Sequence, residues 1–253
     1  MSSYLVCIDP GHGPGCANKS PDESYQEQEF AMDLARRLEA HLHRHGVAVI
    51  LTRDEKGYPS LARRCKTAND RKNIGLFVSL HSNAAGSSGW SSARGHMIFT
   101  SAPGSTAGRN IAANMLLSHW KEAGINVRSP GLSHYGYTVL TGTTAPAMLL
   151  EHGFHTNKED VAQLKTESYR QKLAKADAQG ILDYLGIAWQ EESKGDAAAP
   201  TENPGRSGCR PASAWQKKPW TIWSSTAMAR SFWKSWRKTR GNKPPAGTKT
   251  THK

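Results

Sequence analysis

Short apolar runs alternate with longer segments of helical periodicity over most of the chain. Residues 4–8 form an apolar run stopped by Asp9, Pro10 and Gly11, the pattern of a short buried strand. Residues 13–24 are rich in Gly, Pro, Asn and Ser and predict a loop. From Glu27 onward Phe30, Ala31, Leu34, Ala35, Leu38 and Leu42 recur at helical spacing, and Gly46 stops that helix. The β-branched run 47–52 predicts a second strand, and residues 60–73 a helix. Residues 76–80 predict a third strand, with His81 just past its end. Gly86 to Gly89 is a flexible excursion, residues 95–100 a fourth strand, and residues 107–123 a helix closed by Gly124. Residues 137–140 and 147–150 predict short strands around a loop from Thr141 to Pro146. Residues 158–185 are mostly helical and end at Gly186.

Strands alternating with helices imply an α/β sheet covered on both faces. In such sheets chemistry gathers at strand ends, where loops converge. His12, His81 and Glu151 each follow or end an apolar strand, so three chemistry-bearing side chains share one kind of place.

The net charge of +12 changes this picture less than its size suggests. Residues 1–202 hold 21 basic and 21 acidic side chains; the other 12 basic residues all follow Glu202, and no acid does. The main domain is therefore predicted over 1–189, a linker over 190–205, and a basic Trp-rich tail over 206–253. The tail reads as an arm attracted to anionic polymers, as a disordered extension, or as the product of a shifted reading frame. Nucleic-acid binding is not expected. No run of 18 apolar residues predicts a membrane span, and the N-terminus shows no signal-peptide pattern. Four cysteines without C-x-x-C spacing fit thiols better than a disulfide scaffold or a thiolate zinc site.

Two His, one Glu and a further Glu suffice for a hydrolytic metal site: three ligands, an open position and a base. His12 sits in a Gly-rich turn whose glycines permit a tight bend and a close approach. His81 is followed by Ser82 and Asn83, which can orient an imidazole. Glu27 also suits the first turn of a helix for dipole reasons alone, and Glu23 and Glu29 compete with it. Glu151 emerges from an apolar strand, where a carboxylate is costly unless it is paired or functional. His152 and His155 read as loop residues or as groups behind the site. His41, His43 and His45 read as a solvated helix face.

In order and spacing, these motifs resemble the zinc-dependent N-acetylmuramoyl-L-alanine amidases of the amidase-3 type, which include autolysins and phage endolysins. The resemblance covers roughly residues 4–186, through IDPGHG at 8–13, Glu27, LTRD at 51–54, SLARRCKTAND at 60–70, FVSLHSNAA at 77–85 and YTVLTGTTAPAMLLEHGFHTN at 137–157. It implies a single α/β domain with a mixed sheet of about six strands flanked by helices. It implies one zinc ion held by His12, Glu27 and His81, with Glu27 preferred over its neighbours by register. Glu151 is implied as the base that deprotonates the attacking water. Peptidoglycan is the implied partner and the muramoyl–L-alanine amide the implied target, with the tail then a wall-binding arm for anionic wall polymers. Asn83, Thr141 and Pro146 are candidates for substrate contact. Residues 86–94 depart from the shorter segment expected of the family and are expected to shape the groove. An enzyme of this kind without a leader would be made in the cytoplasm and reach the wall through a holin or on lysis. The competing expectations are another zinc peptidase or carboxypeptidase, or a non-catalytic wall-binding protein.

Overall fold

The computed structural model describes residues 4–86 and 88–191. The tail, and the linker beyond Glu191, lie outside the described residues. Six strands form one mixed sheet in the order β2-β1-β3-β6-β4-β5. They are β1 (Leu5–Pro10), β2 (Ala48–Leu51), β3 (Ile74–Asn83), β4 (His96–Thr100), β5 (Val127–His134) and β6 (Ala147–Phe154). The first three and β6 run parallel; β4 runs antiparallel to β6 and pairs in parallel with β5. The helices are α1 (Glu27–Arg44), α2 (Leu61–Asn69), α3 (Gly108–Glu122), α4 (Thr138–Thr141), α5 (Lys158–Leu164) and α6 (Glu167–Leu185).

Alternation along the central strands sorts side chains into two cores. Val6 and Ile8, Leu76, Val78 and Leu80, and Met148 and Leu150 point to a large core under α1, α3 and α6. Phe30, Leu34, Leu38 and Leu42 of α1 fill it, joined by Trp120 of α3 and by Leu173 and Ile181 of α6. Burying each such side chain contributes about 1.5–3 kcal/mol. The opposite faces of the same strands carry Cys7, Phe77, Ala147 and Leu149 to a small core under the two short helices α2 and α4, with Cys65, Val139 and Leu140. One face of the sheet is thickly covered and the other thinly.

Three expectations are corrected. Residues 137–140 are not a strand: Thr138–Thr141 is a single helical turn, with Gly142 N–H bonded to Thr138 O at 2.8 Å. Its β-branched run mimics a strand, but Val139 and Leu140 are needed side by side against the small core, which a helical turn allows. The sixth strand is β5 instead, whose Pro and Gly residues hide its extended conformation in the sequence. Strands β3 and β6 also run further than expected, so His81 and Glu151 lie within them rather than past their ends.

Candidate metal centre and its cleft

Three adjacent parallel strands, β1, β3 and β6, end on one side of the sheet, and the candidate side chains stand at those ends. His81 on β3 and Glu151 on β6 are direct cross-strand partners. His12 lies two residues beyond β1, in a turn fastened to β3 by Gly11 N–H donating to Leu80 O at 2.9 Å. Glu27 opens α1, and its backbone N–H donates to Asn18 O at 3.0 Å. The loop before it closes on itself around Asp22, which accepts from Ser20 and Ser24. That closure brings the first turn of α1 to the end of β3.

The ligand atoms of His12, Glu27 and His81 all lie within 4.8 Å of one another. Glu27 Oε1 is 2.9 Å from His81 Nδ1 and accepts from Ser82 N–H at 3.0 Å. Its Oε2 lies 3.2 Å from His12 Nε2, yet it is buried without a well-directed donor. Burial alone would raise this carboxyl; the contacts from His12 and His81 outweigh it and hold Glu27 well below the ordinary carboxylate range. A carboxylate kept ionised between two imidazoles, with one oxygen poorly satisfied, fits a divalent metal ion as third partner.

Glu151 differs. Its side chain is buried, Oε2 has no protein partner, and burial first, then the charge of Glu27, raises its carboxyl well above the ordinary value. The two glutamates are thus pushed in opposite directions within one site.

The DPGHG turn is not held as its glycines suggest. Neither Gly11 nor Gly13 adopts a positive φ; His12 does, at 55°. A Cβ on Gly11 would stand 2.4 Å from His81 Cε1, and one on Gly13 would stand 2.6 Å from Tyr58 Cβ. The glycines are there so that neighbours can come close. Positive φ at a non-glycine costs on the order of 1–3 kcal/mol and persists only where the surroundings impose it. Here two arginines impose it. Arg53 donates to Pro10 O and Gly11 O, and Arg64 donates to Pro10 O, His12 O and Asp9 Oδ1. Asp9, 1 % exposed, also accepts from Thr52 and Ser79. The LTRD and LARRC motifs therefore clamp the turn that carries His12.

His155 lies in the turn just after β6 and backs the ligands. It is buried, its Nδ1 lies 2.9 Å from Ser82 O, 3.1 Å from Ser82 Oγ and 3.7 Å from Glu27 Oε2, and Tyr25 OH donates to Ser82 Oγ. His152 faces the large core instead, 3.3 Å from Asp177, which also accepts from Trp120 Nε1. Period-two alternation next to Glu151 would have assigned His152; His155 follows the break in alternation at Gly153. His41 and His45 stack on Trp189, and His45 Nε2 accepts from Gln190 N–H.

The site opens into a cleft of about 750 Å³. Tyr58, Pro59 and Leu61 form one wall, and Tyr135, Tyr137 and Val139 another. Asn83 lines it. Thr141 and Pro146 do not: α4 turns them into a neighbouring hollow. Residues 86–94 are also not in its lining among the described residues; Ser91 bonds Thr156 and Asn157 instead. The three described cysteines are free thiols.

A family profile described as N-acetylmuramoyl-L-alanine amidase matches residues 6–183. The chain is 32% identical over 205 residues to the endolysin of Bacillus phage SPP1, covering 80% of this chain and 73% of that protein. It is 28% identical over 179 residues to the N-acetylmuramoyl-L-alanine amidase LytC of Bacillus subtilis, covering 71% of this chain but only 35% of that longer protein. The catalytic domain of CwlV, an N-acetylmuramoyl-L-alanine amidase from Paenibacillus polymyxa, superposes with a TM-score of 0.66 at 28% identity, over 73% of this chain and 99% of the CwlV domain.

Proposed function

The chain belongs to the N-acetylmuramoyl-L-alanine amidase family of the amidase-3 type, and from that premise we propose how its site works. Its reaction is hydrolysis of the amide that joins the lactyl group of N-acetylmuramic acid to L-alanine in peptidoglycan. His12, Glu27 and His81 would hold one zinc ion, two imidazoles and a carboxylate being a donor set found in zinc hydrolases. A zinc ion held there would supply Lewis acidity toward the attacking water and the scissile carbonyl.

The remaining steps belong to the protein. The Glu151 carboxylate, buried across from His81 and lining the cleft, takes the proton from the attacking water. Its raised affinity for protons makes it a stronger base than an exposed glutamate and fits it to return that proton to the departing amine of L-alanine. Glu27 stays ionised and fixed by the Ser82 amide and both imidazoles. Asn83, which lines the cleft, contacts the substrate in this reading. The single observation that carries this reading is the unpartnered buried carboxylate of Glu151 beside a converging His–Glu–His cluster. The likeness to a phage endolysin supports action on the cell wall after release from the cytoplasm, and no described helix is long and apolar enough to cross a membrane.

Product analysis on purified peptidoglycan tests the reading. Wild type should free L-alanine amino termini, lose this activity to a chelator and regain it with zinc, while Glu151→Ala stays inactive. Release of other amino termini would point to a peptidase, and intact walls from several bacterial groups would refute hydrolysis altogether.

A further inference from the structure

Strands β3 and β6 pair in register up to His81 and Glu151, and then the register shifts: the next pair is Asn83 with Phe154. Ser82 alone therefore faces two residues of β6, His152 and Gly153. An extra residue of this kind is a β-bulge, a device that re-aims side chains beside active sites. Gly153 supplies the left-handed bend at φ 71°. Asp160 pins the bend, accepting from Phe154 N–H at 2.8 Å and from Gly95 N–H at 2.9 Å. Past it, His155 N–H donates to Asn83 O at 2.8 Å, and the His155 ring turns to Ser82.

Three segments thus meet at Ser82. From the loop before α1, Tyr25 OH donates to Ser82 Oγ at 3.0 Å. Two residues later, Glu27 Oε1 accepts from Ser82 N–H at 3.0 Å. From the turn after β6, His155 Nδ1 stands 2.9 Å from Ser82 O and 3.1 Å from Ser82 Oγ. A carbonyl oxygen can only accept, so Nδ1 carries the ring hydrogen. The Tyr25 and His155 rings also stack, with centroids 6.4 Å apart and planes 18° apart. Tyr25, Ser82 and His155 are 3 %, 3 % and 4 % exposed, too little for bulk water to replace these bonds.

The consequence falls on Glu27. Ser82 N–H holds Oε1, while Oε2 is left on the side of His12 without a well-directed donor. One oxygen held by the protein and one left over suits a carboxylate that gives a single oxygen to a metal ion. We propose that His155 and Tyr25 are positioning residues for the metal centre: they lock Ser82, and the Ser82 amide then orients Glu27 so that Oε2 stays free for the ion. The proposal rests on the reading of His12, Glu27 and His81 as a zinc site. Groups that orient a metal ligand in this way are commonly worth about 10–100-fold in metal affinity.

The test measures the zinc affinity of the full chain by competition with a chromogenic chelator, and the Tm of each metal-free protein. His155→Leu fills much of the same space without the Nδ1 donor; His155→Asn puts an amide N–H in its place. His155→Leu should bind zinc about 10–100-fold more weakly, and His155→Asn should recover most of that loss. Tyr25→Phe keeps the stacked ring, deletes the hydroxyl and should also weaken zinc binding. Because both residues act through Ser82, the double variant should lose less than the product of the two single losses. A purely structural role would lower the Tm of His155→Leu and leave its zinc affinity unchanged. That result, or His155→Asn binding no better than His155→Leu, or losses that simply multiply, overturns the proposal. If His155→Leu does not fold, Tyr25→Phe decides, and wild-type zinc affinity in folded Tyr25→Phe overturns it. Wild type that binds no zinc refutes the metal centre itself, which leaves these residues nothing to position.

Discussion

Replacing Gly11 by Ala tests the geometry of the metal centre with one methyl group. The new Cβ would lie 2.4 Å from His81 Cε1, 2.6 Å from His81 Nδ1 and 2.7 Å from Leu80 O. Carbon atoms in contact sit about 3.5–4.0 Å apart, so something must yield by about 1 Å. Strands β1 and β3 cannot part freely here, because Gly11 N–H donates to Leu80 O. The His81 ring must therefore yield, and the β1–β3 backbone contact at Leu80 O must adjust with it. Backbone strain does not confuse the result, since Gly11 has no positive φ. Metal–ligand distances tolerate only about ±0.2 Å, so the displaced imidazole should weaken zinc binding by about 10–100-fold. With zinc saturating, a misplacement of about 1 Å should still lower kcat/KM by about 100-fold. Competition of zinc between the protein and a chromogenic chelator gives the affinity, hydrolysis of a soluble muropeptide gives the rate, and circular dichroism confirms the fold. A folded Gly11→Ala protein with wild-type zinc affinity and rate would refute the claim that the first glycine of DPGHG exists to admit His81.

Glu151→Gln should lower hydrolysis by about 10²–10⁴-fold, the usual contribution of a positioned acid–base group, with zinc content by metal analysis unchanged; a variant retaining most of its rate would remove Glu151 from the mechanism. In metal-free protein the same substitution should change the pH dependence of stability. Burial, then Glu27, raises the Glu151 carboxyl above 4.5; a raised acid contributes stability below its unfolded pKa and loses it as pH rises through the folded value. Metal-free wild type should therefore lose Tm relative to Glu151→Gln as pH climbs from 4.5, and parallel Tm profiles would contradict this. Arg64→Met leaves the buried Asp9 without its cation and should cost about 3–5 kcal/mol; urea unfolding showing under about 1 kcal/mol would mean that the pair carries no weight.

Period and punctuation made most of the sheet legible. The apolar runs before Asp9, His81 and Glu151 are fully buried strand interiors, where composition and structure coincide. Strand β5 was not legible, because Pro130 and Gly131 interrupt it and its identity comes from pairing with β4. Tyr137, Thr138 and Val139 read as strand because β-branched residues say nothing about a turn fixed by neighbours distant in sequence. The family pattern pointed to the chemistry-bearing side chains, but not to what supports them. That Arg53 and Arg64 grip the His12 turn depends on side chains more than forty residues away in sequence. His155 could have been found: it lies four residues after Glu151, past Gly153, whose φ of 71° re-aims the chain toward Ser82.

The unequal covering of the sheet connects this architecture to the chemistry. Glu151 is raised by burial more than by any neighbour, so its strength as a base depends on keeping bulk water from its carboxyl. The thick layer closes the strand from behind, on the face opposite Glu151. Beneath the end of β6, His152 packs against Phe30, Trp120 and His96, and the large core continues under it. The thin layer gives access. The cleft is lined by the first residues of α2 and α4, Leu61, Thr138 and Val139. Two thick layers would have buried the site beyond the reach of a polymer. Two thin ones would have hydrated Glu151 and returned it to the ordinary carboxylate range, where a general base is weak. A sheet thick on one side and thin on the other supplies both the dry carboxylate and the open path, and the alternation of β6 places Glu151 on the thin side and His152 on the thick one.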